Sequence, residues 1–154
     1  MAISQELDTT QRAIIKVHRE LFDESPTPMK LQKLCYYAQG YFLALDNKQL
    51  FEEDFQAWQH GPVIPSLYTK YKDYQWRQIT EAVDEHVDVS ERLRTIVHAY
   101  GRYDGAALST MTHRESPWLN AREGVPETDG SSEVIPKESM RVFFAEKIRA
   151  FREA

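Results

Sequence analysis

Cysteine is nearly absent. Cys35 is the single one, so neither a disulfide framework nor a cysteine-based zinc site can form within one chain. Long apolar runs are missing too: none approaches the roughly 18 residues that a membrane span requires. Positive charge is in deficit, with 19 Lys and Arg against 24 Asp and Glu and a net charge of -5. Sequence-independent nucleic-acid binding draws most of its affinity from phosphate neutralisation, so a chain without a long basic block is a poor candidate for it. There is no P-loop, no GxGxxG and no GxSxG, and His60-Gly61-Pro62 lacks the donors of a phosphate cradle. The five histidines, His18, His60, His86, His98 and His113, form no HxxxH or HExxH pattern. No cofactor, no metal and no catalytic residue is expected. The first residues, MAISQELDTTQRAI, lack a basic stretch followed by an apolar one, which points to a reducing cytoplasm.

What is present is enough for one domain over residues 1–154. Hydrophobic residues make up 42% and charged residues 28%, a balance that supports a packed core rather than disorder. Helical periodicity dominates. A first helix is expected from about Asp8 to Asp23, with Ile14, Val17, His18 and Leu21 on one face. Thr27 and Pro28 read as N-cap and first position of a second helix reaching about Asp46. Its stripe of Leu31, Leu34, Cys35, Ala38, Phe42 and Leu45 is the strongest periodic signal. Phe51 to Gln59 reads as a short strand ending near His60, since Pro62 blocks ladder pairing at its own position. Helices follow at about Pro65 to Tyr74, after Ser90, at Ala106 to Met111, at Ser116-Pro117-Trp118 and after Pro136. A second strand around Arg77 to Ile79 is expected to pair with the first. The segment 123–135, with two glycines and a proline, reads as a mobile loop. The expected fold is mainly α, a compact bundle of about six helices with a two- or three-stranded β element.

Chemistry-bearing residues fall in two places. Tyr36, Tyr37, Tyr41, Tyr68, Tyr71 and Tyr74 concentrate phenol groups, which serve at interfaces and at core boundaries alike. Thr112 to Trp118 packs His113, Arg114, Glu115 and Trp118 into seven residues, with Arg122 one helical turn on. This suits a partner hot spot, or a corner between helices held by local hydrogen bonds. His60 suits either a backbone-bonding role at the Gly-Pro turn or a contact role. Cys35 lies on an apolar stripe, where a thiol packs and stays inert. Glu52, Glu53 and Asp54 read as a solvated edge that discourages strand aggregation.

These residues carry a resemblance. KLQKLCYYAQGYFLAL at 30–45, then LFEEDFQAWQHGPVIPSLYTKY at 50–71 and LSTMTHRESPWLNAR at 108–122, together resemble the Panacea antitoxin domain, the SocA-like, phage-associated GepA-type family. The family pattern is a KLQKLLYYAQG-like helix, a strand ending in W-x-x-GPV-x-P-x-LY-x-x-Y, and a later L-S-x-x-T-H-x-x-x-PW-x-x-AR. The resemblance implies an antitoxin that binds and neutralises a toxin protein encoded nearby, without enzymatic activity. One branch of the family instead delivers its toxin to an ATP-dependent protease, which is the alternative. A small hydrolase using His60 and His113 is a third reading. An exposed partner-binding face is expected to draw on Tyr37, Tyr41, Trp58, His60, His113, Arg114, Trp118 and Arg122. No membrane partner and no nucleic acid is expected.

Overall fold

The computed structural model describes residues 2–154. Among them, the order is α1 (Gln5–Phe22), α2 (Pro28–Asp46), β1 (Phe55–Trp58), β2 (Gly61–Val63), α3 (Pro65–Tyr71), α4 (Glu91–Tyr100), α5 (Gly105–Thr112), α6 (Ser116–Ala121), β3 (Val134–Ile135) and α7 (Lys137–Glu153). The fold is mainly α, with a small antiparallel sheet in the order β2-β1-β3.

Thr27-Pro28 and Ser90 start helices as expected, whereas α1 begins at Gln5 rather than at about Asp8, because Ser4 is its cap. Ser4, Thr27, Ser90 and Asp104 each accept a hydrogen bond from a backbone N–H in the first turn of α1, α2, α4 and α5, which satisfies a donor that the helix leaves open. Pro28, Pro65 and Pro117 sit in first turns, where a missing N–H costs nothing. Glu53 belongs to this capping as well. Its carboxylate accepts from Ser4 N at 2.6 Å and Ser4 Oγ at 2.8 Å, and Asp54 pairs with Lys137 at 2.6 Å. The acidic run thus ties α1 and α7 to the strand approach; Glu52 and Asp54 stay exposed.

α2 is the axis of the molecule. It packs on α1, α3, α4, α5, α7 and β2, so polar residues beside its apolar stripe are buried as well: Gln32, Lys33 and Gln39 are all under 5% exposed. Gln32 donates to the Ile64 carbonyl at 3.0 Å and accepts from Ile64 N at 2.8 Å. Gln39 does the same for Phe51 O at 2.9 Å and Leu50 N at 2.7 Å. Each amide acts as a one-residue strand partner for irregular backbone that would otherwise be buried unpaired. The far end of the expected stripe is less covered, with Leu45 at 38% exposure.

Two β expectations are corrected. The chain does not form a strand at Arg77 to Ile79. One face of α1 instead takes carbonyls of Ile79 and of the chain that follows: Arg19 donates to Ile79 O and Glu81 O, Arg12 to Ala82 O, and Lys16 to Glu85 O and Val87 O. Strand β1 instead pairs with β2, Ala57 opposite Pro62, and with β3, Phe55 opposite Ile135. Pro62 is tolerated because β2 is an edge strand. Gly61, at φ 114°, reverses the chain after His60 in a conformation that L side chains rarely adopt. β3 is the end of the 123–135 segment.

Candidate functional site

The Panacea-like blocks meet around α2. Tyr37 is fully buried and stacks on Tyr100, ring centroids 4.0 Å apart and planes 11° from parallel. Its hydroxyl donates to Glu115 Oε2 at 2.9 Å. Glu115 is itself buried. Burial raises its proton affinity, opposed by the bond from Tyr37 and by the charge of Lys147. Lys147 reaches Tyr100 Oη at 3.1 Å, and the hydroxyls of Tyr41 and Tyr100 lie 2.6 Å apart. This polar network runs from the buried Glu115 out to the half-buried Tyr41 and Lys147 at the surface, with Phe144 edge-on to Tyr36 and Tyr37.

The second block forms a corner that clamps the sheet. Trp118 is buried and donates Nε1–H to the Trp58 carbonyl at 2.8 Å. Arg122, 3% exposed, donates to Ala57 O and Pro126 O, both at 2.9 Å, and to Asp129 O. Its guanidinium also lies over the Trp118 ring, 4.7 Å from the centroid. His113 stacks on the Trp118 ring at 4.1 Å, and its Nε2 is buried without a hydrogen-bond partner. Burial lowers the proton affinity of His113, partly countered by Glu127.

The residues expected on one contact face therefore separate. Tyr37, Trp118 and Arg122 face inward, because each has a partner that only the folded core supplies. Tyr41, Trp58 and His113 are half-buried, and His60 and Arg114 are exposed. Tyr41 lies on a different side of α2 from the hairpin group. Cys35 is fully buried, and burial pushes its thiol up, as expected for an inert packing residue. Among the described residues no three His, Cys, Asp or Glu side chains come together in a way that could hold a metal ion.

Three concavities border these residues, and two of them are lined by Lys or Arg. The larger is a groove of about 620 Å³ between α2, α4 and α7, floored by Tyr41, Ile96, Tyr100 and Ile148. Arg92, Arg102 and Lys147 edge it, and no Asp or Glu lines it. Phe151, 83% exposed, stands at its end. The smaller, about 270 Å³, opens between α2, α3 and the β1–β2 hairpin, beside Trp58, His60 and Tyr68. Sequence reasoning passed over Lys33, Arg102 and Phe151. Lys33 carried one signal, a charge next to Leu34 and one helical turn before Tyr36 and Tyr37.

Residues 31–119 match the family described as antitoxin SocA-like, Panacea domain. The chain is also similar to antitoxin SocA of Caulobacter vibrioides (strain NA1000 / CB15N), 26% identical, with 58% of this chain and 56% of that protein aligned. It thus spans little more than half the length of that curated relative. No solved structure gives a significant match. The matched span covers α2, the hairpin and the Thr112 to Trp118 corner, and the chain belongs to the SocA-like antitoxin family that carries the Panacea domain.

Proposed function

We infer that this chain is a cytoplasmic antitoxin that neutralises a protein toxin by binding it directly, without chemistry of its own. The family suggests a non-enzymatic role. The observation that carries the binding reading is the α2–α4–α7 groove: an aromatic and aliphatic floor, edged by Arg102, by Arg92 paired with Asp46 and by Lys147 near Glu115. Exposed apolar surface rimmed by polar groups marks interaction sites, and arginine and aromatic side chains dominate binding energy. The partner is a toxin encoded nearby, presenting an apolar segment with acidic flanks. Tyr41 contributes from the groove; Trp58, His60, His113 and Arg114 contribute from the hairpin side.

The test is co-expression with each adjacent open reading frame, scoring growth rescue and co-purification together. Rescue with a stable complex is expected. A Phe151→Glu, Arg102→Glu variant should keep its fold, since both residues are exposed, and lose rescue. Undiminished rescue by that variant removes the groove from the interface. Rescue without a complex, with toxin vanishing only when an ATP-dependent protease is present, would replace direct neutralisation by the adaptor role. If no neighbour is toxic, the reading fails.

A further inference from the structure

The smaller cleft has a chemistry that the fold alone does not explain. Lys33 is in its wall, 1% exposed. Its Nζ makes one hydrogen bond, to the Pro62 carbonyl at 3.2 Å, although an ammonium has three donors to satisfy. No carboxylate holds its charge: burial is the sole influence on it and lowers its pKa to about 7. A buried, unpaired cation destabilises a fold, and an apolar side chain of the same length would pack there without that cost. The backbone is nevertheless shaped around it. A Cβ at Gly61 would come within 2.6 Å of Lys33 Cε and 2.8 Å of Thr112 Oγ1.

Other bases collect at the same place. Burial is the main cause of the lowered proton affinity of His113, and Lys33 and His60 are both close enough to add to it, against Glu127 and a backbone contact to Gln59. Lys72 is in the cleft wall, and no Asp or Glu is. Tyr71, also in the wall, turns its hydroxyl away to Gln11 and Glu81. Glu127, 3.6 Å from His113 Nδ1 with its side chain 74% exposed, is not part of the wall. Trp58 and Tyr68 meet edge to face at 5.1 Å and form an aromatic lip. The volume, about 270 Å³, is below the roughly 300–1,000 Å³ of small-molecule sites. It fits one or two side chains.

We propose that this cleft receives an acidic side chain, Asp or Glu, of the toxin, whose carboxylate pairs with Lys33 behind the Trp58–Tyr68 lip; this rests on the antitoxin reading above. Arrival of the carboxylate favours the charged amine, so the complex takes up a proton at Lys33 when it forms above pH 7.

The test begins on the free protein, by NMR titration of the lysine Cε resonances. Lys33 is identified by the signal missing from Lys33→Met. N-acetyl-glutamate N-methylamide serves as the side-chain probe and inorganic phosphate as the free-anion control. The probe should raise the Lys33 midpoint by at least one pH unit in a saturable way, and phosphate should not. A midpoint raised by phosphate alone, or by neither, overturns the proposal. The second arm uses the toxin: Lys33→Met should bind it at least tenfold more weakly and abolish the proton uptake seen by calorimetry in buffers of different ionisation enthalpy. Full-strength binding by Lys33→Met sinks the cleft and leaves the antitoxin reading intact. If no neighbour proves toxic, that reading falls, and the NMR titration still decides the cleft. Should Lys33→Met fail to fold, the wild-type titration, assigned through scalar couplings, decides in its place.

Discussion

Lys33 also makes a stability prediction. Its pKa falls from the ordinary 10.5 to about 7 on folding, so between those values the unfolded chain holds more protons than the folded one. Stability therefore rises with pH across this window, and the penalty is fully present below about pH 7. Lys33→Met removes a cost on the order of a few kcal/mol at neutral pH. The variant should melt higher than the parent at pH 6 and 7, and the gap should narrow toward pH 10, as thermal unfolding across that series would report. A parent that is the more stable form throughout contradicts the account. At this scale the sequence was half legible. Cys35 read correctly as packing because a thiol on an apolar stripe has one physical fate. Tyr37 and Trp118 read as contacts because an aromatic with a polar tip serves interface and core equally, and only the position of Glu115 and of the Trp58 carbonyl decides between them.

At the scale of elements, the tightest joint is between α2 and α7. The ring of Phe144 fills the space where a Cβ at Gly40 would stand. Gly40→Ala gains helix propensity of about 1 kcal/mol but forces that ring out of a cluster with Tyr36, Tyr37 and Tyr41, an overpacking cost of roughly 1–3 kcal/mol. Crowding should win, giving a net loss in urea denaturation that Phe144→Leu partly restores in the double variant. Arg122 is the matching anchor for the segment after α6. Lysine lacks the planar fork that spans three carbonyls, so Arg122→Lys should lose roughly 2–4 kcal/mol, with about 1.5–3 expected for each lost hydrogen bond to a charged group. It should also speed proteolytic cleavage within 123–133, followed by mass spectrometry. Unchanged cleavage would show that the carbonyl bonds do not hold the segment. Helix positions were readable because caps and prolines act locally. The second strand was misplaced because carbonyls of 79–87 are satisfied from α1, some sixty to seventy residues away in sequence.

For the whole molecule, charge is arranged against its average. The net is -5, yet the two clefts described above have Lys and Arg but no Asp or Glu among their lining residues, with Asp46 and Glu115 reaching Arg92 and Lys147 of the larger one from outside the lining. On the antitoxin reading proposed above, local attraction between these faces and the acidic flanks of the toxin segment should steer association. Raising salt from about 0.05 to 0.5 M shortens the screening length several-fold, so the association rate should fall by about tenfold, measured by stopped-flow mixing, while dissociation changes less. A rate indifferent to salt would argue for a wholly apolar interface. By itself the sequence determined the helical class, most helix starts, the family and the exclusion of a disulfide framework or cysteine-based zinc site within one chain, because these follow from periodicity, capping and residue inventory within short stretches of chain; α1 begins at Gln5, before the expected Asp8, because Ser4 caps it with support from the distant Glu53. Tertiary structure decided which tyrosines are core, where the sheet pairs, and that Lys33 is buried without a counter-charge beside His60 and His113. Those outcomes depend on what packs against each face of α2, and that is set by segments far away along the chain.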